Sequence, residues 1–167
     1  MAKKEIGLID ELKNKFKVKP KIQGERRIWL SIDSDRLIEI CKWFKESGFV
    51  HLSSISVTDW LEKGDYELTY HLWSYDAKKL ITIKTMVSRN KPTIESVTSI
   101  WAENAQIHER ELHELFGVKF NGNKDLNPLF LENWQGPAPF RKDFDWRNYV
   151  RDKFYNKENE RQRVYYD

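Results

Sequence analysis

A single cysteine, Cys41, in 167 residues rules out an intramolecular disulfide, a four-cysteine zinc site and any ordinary cysteine-ligated iron–sulfur cluster. Glycine is sparse as well. The seven glycines, at positions 7, 24, 48, 64, 117, 122 and 136, never fall into G-x-G-x-x-G, so there is no dinucleotide-binding fingerprint. Gly117 and Gly122 have the spacing that opens a phosphate loop, but Asn123, Lys124 and Asp125 follow where that loop needs Lys and then Ser or Thr. No run approaches the ~18 apolar residues of a membrane-spanning helix, and Met1–Asp10 has no signal-peptide core. These absences read as a soluble protein of a reducing compartment. At this length one domain is expected, able to fold on its own core.

Charge of one sign is not in large excess either, since 29 Lys and Arg face 26 Asp and Glu. The distribution is uneven: residues 1–27 carry +5, residues 28–140 carry −4 and residues 141–167 carry +2. A mildly acidic body with basic ends is the pattern of solvated termini, and it also suits an acidic or polyanionic partner.

What is present is a clear succession of elements. Ile9, Leu12 and Phe16 share one face of a helix expected over Glu5 to Phe16, followed by a basic run to Lys21 that Pro20 interrupts. Ile28, Leu30 and Ile32 alternate as in a half-buried strand. Asp33 and Ser34 are suited to cap a helix that turns Leu37, Ile40, Cys41 and Phe44 inward and stops at Gly48. Three strands follow, around Ile55 and Val57, around Tyr66 to Leu72, and around Ile81 to Val87. The short turns at Glu62–Asp65 and Asp76–Lys79 dictate an antiparallel meander. Ser99 is positioned to cap a last helix with Trp101, Ala105, His108, Leu112 and Leu115 on one face and Gly117 as its αL stop. The expected class is therefore α+β, a mostly antiparallel sheet with helices packed on one face.

Beyond residue 120 the periodicity ends, yet Phe130, Trp134, Phe140, Phe144 and Trp146 are spaced among Pro128, Pro137 and Pro139. Aromatics of this size are costly to leave in water, so the stretch must be covered, by its own sheet or by another subunit. The division expected is a core over residues 1–120 and an extended arm over 121–167 that packs on partner subunits. A terminal hairpin is expected from Tyr149–Tyr155 and Arg161–Tyr166.

Catalytic signatures are missing. His108 and His113 flank Glu109, but H-E-x-x-H needs its second histidine at i+4, and at i+5 the rings lie about 140° apart around the helix. His108 reads as a core histidine. Glu109, Glu111 and Glu114 have the residue type for acid–base work, although carboxylates on a helix usually form a solvated face. What remains is a charged helix end, in which Arg110 and Glu114 stand at i, i+4.

That helix end carries a resemblance. Glu109-Arg110-Glu111-x-x-Glu114-Leu115-Phe116-Gly117-Val118 is similar to the E-R-E-x-x-[DE] signature of the thirty-kilodalton subunit of respiratory complex I. The same family includes subunits of membrane-bound hydrogenases and related ferredoxin- or quinone-linked complexes. Ser96–Trp101 resembles the family's entry to that helix, and upstream Asp59-Trp60 and Tyr70-His71-Leu72 match in order and spacing. Pro139-Phe140-Arg141-Lys142-Asp143-Phe144 resembles its P-L-R-K-D-[FY]. Where the family reads G-H-P-D-L-R-R, this chain has Gly122-Asn123-Lys124-Asp125-Leu126-Asn127-Pro128.

The resemblance implies a non-catalytic subunit of a hydrophilic arm, on the cytoplasmic face of the membrane and attached there through its partners. It implies docking against a chain like the hydrogenase large subunit, with no cofactor or metal of its own. Iron–sulfur clusters are expected in the neighbours. Glu109, Arg110, Glu111 and Glu114 are expected to fix the helix against a partner, Phe130, Trp134, Phe140 and Phe144 to anchor the arm, and Arg141, Lys142 and Asp143 to make its polar contacts. Two other classes fit less well. A nucleic-acid-binding α+β module would use the basic ends and the aromatics, but the aromatic strand motif of such modules is missing. A small hydrolase would need Glu109 or Glu114 in a cleft with a raised pKa.

Overall fold

The computed structural model describes residues 2–154. Helix α1 (Ala2–Phe16) buries Leu12 and Phe16 completely, and strands β1 (Lys21–Gln23) and β2 (Arg27–Ile32) form a hairpin behind it. A single 3-10 turn (Ser34–Arg36) leads into α2 (Leu37–Glu46). The meander follows as β3 (His51–Trp60), β4 (Asp65–Ser74) and β5 (Lys79–Ser88). The five strands lie in the order β1-β2-β5-β4-β3. Only β2 and β5 run parallel in it, so the class is α+β with a mostly antiparallel sheet.

Period-2 alternation decides which face is buried. Ile28 and Leu30 on β2, Ile81 and Ile83 on β5, and Tyr66, Leu68, Tyr70 and Leu72 on β4 point to the helices and make one core with Leu37, Ile40, Cys41 and Phe44. The opposite face carries polar cross-strand pairs such as Lys84–Glu67 at 2.6 Å and Thr82–His71 at 3.3 Å. Beyond the sheet, β6 (Thr93–Glu95) and β7 (Lys119–Asn121) pair in parallel around α3 (Ala102–Phe116). A parallel pair needs a crossover, and α3 supplies it.

Several expectations are corrected. No side-chain cap forms at Asp33, and α3 starts at Ala102 with no side-chain cap, beyond Ser99. The buried stripe of α3 is Ala105, Glu109, Leu112 and Leu115; His108 is only half-buried. The first limb of the expected terminal hairpin is instead helix α4 (Trp146–Phe154), and its second limb lies outside the described residues. Gly117 does adopt the αL conformation, at φ 78°.

Candidate functional site

Glu109 sits one helical turn after Ala105, among apolar neighbours, and is 0% exposed. Its carboxylate accepts the Val97 N–H at 2.8 Å, the Ser96 hydroxyl at 2.7 Å and the Asn123 side-chain N–H at 2.8 Å. The Ser96 hydroxyl has one proton; given to Glu109, it leaves Ser96 Oγ to accept from Thr98. Glu109 thus ties the turn before α3 to the loop after β7. Burial pushes its pKa up, and the three hydrogen bonds partly offset this.

The neighbouring face of α3 grips the following segment by its main chain. Gln106 donates to the Asp125 carbonyl. One turn on, Arg110 donates to the carbonyls of Asn127 at 3.0 Å and Pro128 at 2.9 Å. Another turn on, Glu114 accepts three consecutive backbone N–H groups, from Leu129, Phe130 and Leu131, at 3.1, 2.9 and 2.6 Å. Spacings of four place these three side chains in one row. Burial raises the Glu114 carboxyl pKa, but those N–H groups and nearby Arg110 outweigh it and hold the value below the usual range. The grip is therefore complete at and above ordinary carboxylate pKa values and is lost only as pH falls through the lowered one. For Glu114→Ala we expect amide exchange at Leu129–Leu131 to rise about tenfold or more. Unchanged exchange at those amides would remove Glu114 from this role.

A second tether lies at the far end of the sheet. Arg89, at 6% exposure, faces Asp59, at 3%. Its Nε and Nη2 reach the two Asp59 oxygens at 2.8 and 3.1 Å. Nη1 and Nη2 of the same guanidinium hold both oxygens of Asp143, which also binds Arg141. The Lys142 N–H closes the cluster on Asp59 at 2.9 Å. Hydrogen bonds from Arg89 and Arg141 hold the Asp143 pKa far below the usual range. Asp59 is also lowered, because Arg89 and the Lys142 N–H outweigh its burial. The Asp59 motif and the Arg141–Asp143 motif, about 80 residues apart in the chain, are thus two sides of one ion cluster. Arg89, the residue that joins them, was missed by sequence reasoning. It lies just past a strand end in no motif, and no local signal distinguishes it.

Between the tethers the arm packs on itself. Trp134, Phe144 and Tyr149 have ring centroids 5.0 to 6.1 Å apart. Gly136 lies so close that a Cβ would come within 2.8 Å of both Trp134 and Tyr149. Phe140 leans on Phe116, and its N–H binds the Leu115 carbonyl. The expected site residues therefore separate. Glu109 is enclosed, Glu114 and Asp143 bind within the chain, and Trp134 and Phe144 are half-buried against each other. Glu111 and Arg141 are half-buried, and Lys142 is exposed. Phe130 is left 64% exposed, Phe140 58% and Trp146 49%.

The arrangement suits holding rather than catalysis. A general acid must reach its substrate, and Glu109 is enclosed while the Glu114 shift is downward. Cys41 is buried and its thiol pKa is pushed up by that burial, the reverse of a reactive thiol. Among the described residues, no helix is long and apolar enough to cross a membrane.

The family described as "Respiratory-chain NADH dehydrogenase, 30 Kd subunit" matches residues 30–150. A subunit of the F(420)H(2) dehydrogenase of Methanosarcina mazei is 37% identical over 126 residues, which cover 74% of this chain and 79% of that protein. A subunit of the NADH-quinone oxidoreductase of Moorella thermoacetica is 34% identical, over 69% of this chain and 78% of its own length. Among solved structures, a chain of the membrane-bound sulfane sulfur reductase, an archaeal respiratory membrane complex, superposes with a TM-score of 0.81. It is 29% identical over 93% of both chains.

Proposed function

Since this chain belongs to the 30 kDa subunit family of respiratory-chain NADH dehydrogenase, we propose that it is a non-catalytic structural and assembly subunit of a complex I-like or membrane-bound hydrogenase-like oxidoreductase. In this reading it sits in the hydrophilic arm on the cytoplasmic face and packs against the chain related to the hydrogenase large subunit. Iron–sulfur clusters belong to its neighbours, and its part in electron transfer and ion translocation is to hold those neighbours in register.

The observation that supports this reading best is the way the arm is held. The tethers use main-chain groups and buried charges, so Phe130, Phe140 and Trp146 remain turned outward at 64, 58 and 49% exposure. Exposed aromatics on a pinned backbone are pre-organised anchors, the residue types that dominate interface energetics. Arg110, Glu111, Arg141 and Lys142 supply the polar rim in this reading. Glu109, Glu114, Asp143, Trp134 and Phe144 shape the arm from within.

The test is affinity purification of the complex from native membranes with a tagged chain. Phe130→Ala with Phe140→Ala is expected to lower recovery of the partner chains about 30-fold or more, at roughly 2 kcal/mol or more for the pair, with the Tm of the isolated chain nearly unchanged. Full recovery of the partners with the double variant would sink the proposal.

A further inference from the structure

One edge of the molecule is strongly basic and the tethered arm does not use it. Between the end of α1 and β2, residues 13–27 carry Lys13, Lys15, Lys17, Lys19, Lys21, Arg26 and Arg27 against one acid, Glu25. All seven cations are exposed. Among the described residues none of them forms an ion pair with a carboxylate. The turn of the β1–β2 hairpin meets the next turn of the sheet through the Leu80 N–H to Arg26 carbonyl bond, which adds exposed Lys78 to the same edge. Lysine on an edge strand discourages strand pairing, but that accounts for Lys21 alone, since β1 has only three residues.

The edge is not purely polar. Ile22, beside Lys21, is 57% exposed. Trp29, paired with Lys21 in register, lies on the other face of the sheet, half-exposed with its indole N–H on Gln23 and Lys84 over its ring. At the hairpin tip, Gln23, Gly24, Glu25, Arg26 and Arg27 line an open concavity. Cations set around an exposed aliphatic side chain make a combination that settles at a headgroup layer. The rest of the chain favours one orientation, because residues 28–140 carry −4 and residues 141–167 carry +2, −2 together, and an anionic surface attracts this edge instead.

We propose that the edge formed by Lys13–Arg27 is a peripheral docking surface for an anionic lipid bilayer. The inference rests on the reading of the chain as a membrane-complex subunit, and adds to attachment through partners a direct contact with lipid headgroups. The experiment is flotation of the full-length chain with vesicles of phosphatidylcholine alone, or of phosphatidylcholine and phosphatidylglycerol in equal parts. Binding is expected to the mixed vesicles only and to weaken as salt rises. Each cation removed is expected to weaken it about fivefold, so Arg26→Gln with Arg27→Gln costs roughly 25-fold. Adding Lys19→Gln and Lys21→Gln is expected to abolish binding. Ile22→Ser is expected to weaken binding without changing its salt dependence, and Lys124→Gln, outside the edge, to leave it unaltered. No binding to the mixed vesicles, equal binding to the neutral ones, or full binding by the quadruple variant would overturn the inference. If the edge contacts an acidic partner chain instead, the quadruple variant loses that chain on purification and the wild type ignores vesicles. Phe130 and Phe140 lie off this edge, so their effect on partner recovery tests the proposed function separately.

Discussion

Replacing Arg89 with leucine is expected to lower folding stability by about 3–5 kcal/mol, the range for stranding a buried charge by removing its partner. The loss lies mostly at Asp59. That carboxylate is 3% exposed and would keep only the Lys142 N–H, whereas the Asp143 side chain, 44% exposed, recovers water and retains Arg141. The change corresponds to a Tm lower by roughly 6–20 °C for a chain of this size, measurable by calorimetry. Adding Asp59→Asn removes the stranded charge, and the double variant is expected to regain part of the loss. An Arg89→Leu protein as stable as the wild type would show that the cluster does not hold the arm. Asp59 and Asp143 both have lowered pKa values, so the stability they contribute is full above the ordinary carboxylate range and is lost as pH falls through the lowered values.

Glu109→Ala is expected to cost about 2–4 kcal/mol, read by chemical denaturation, because three donors lose their acceptor in a dry site. The Val97 N–H has no alternative in the chain's own secondary structure, and the turn into α3 is built on it. Glu109→Gln is expected to cost less, roughly 1–2 kcal/mol, since the carbonyl oxygen still accepts while the amide N–H₂ faces donors. The sign with pH is opposite to that of the aspartates. The pKa of Glu109 is raised on folding, so its contribution is full below the unfolded value and declines as pH rises through the folded one. An alanine variant with unchanged stability, or one less costly than the glutamine variant, would contradict an enclosed, hydrogen-bonded carboxylate at this position.

These two residues also mark where sequence reading reached its limit. In Glu109-Arg110-Glu111-x-x-Glu114 the charges resemble an outward surface, because a carboxylate on a helix is usually solvated. Helical phase alone placed His108 on the buried stripe and left Glu109 off it. The actual rotation of α3 buries Glu109, and only the positions of Ser96, Val97 and Asn123 make that burial tolerable. A rotation of this size is decided by packing against the sheet, which a single helix's pattern does not encode.

The amino-acid sequence by itself determined the α+β class, the order of the meander and the αL stop at Gly117, since alternation, turn length and glycine act over a few residues. It also determined the family resemblance, carried by short motifs. Tertiary structure alone decided that Asp59, Arg89 and Asp143 meet. It decided as well that α3 grips the arm by its backbone and that Phe130 and Phe140 face outward while Trp134 and Phe144 turn inward. These depend on groups between ten and 83 residues apart. Their energy comes from desolvation and hydrogen bonding that exist only once the chain has closed around them.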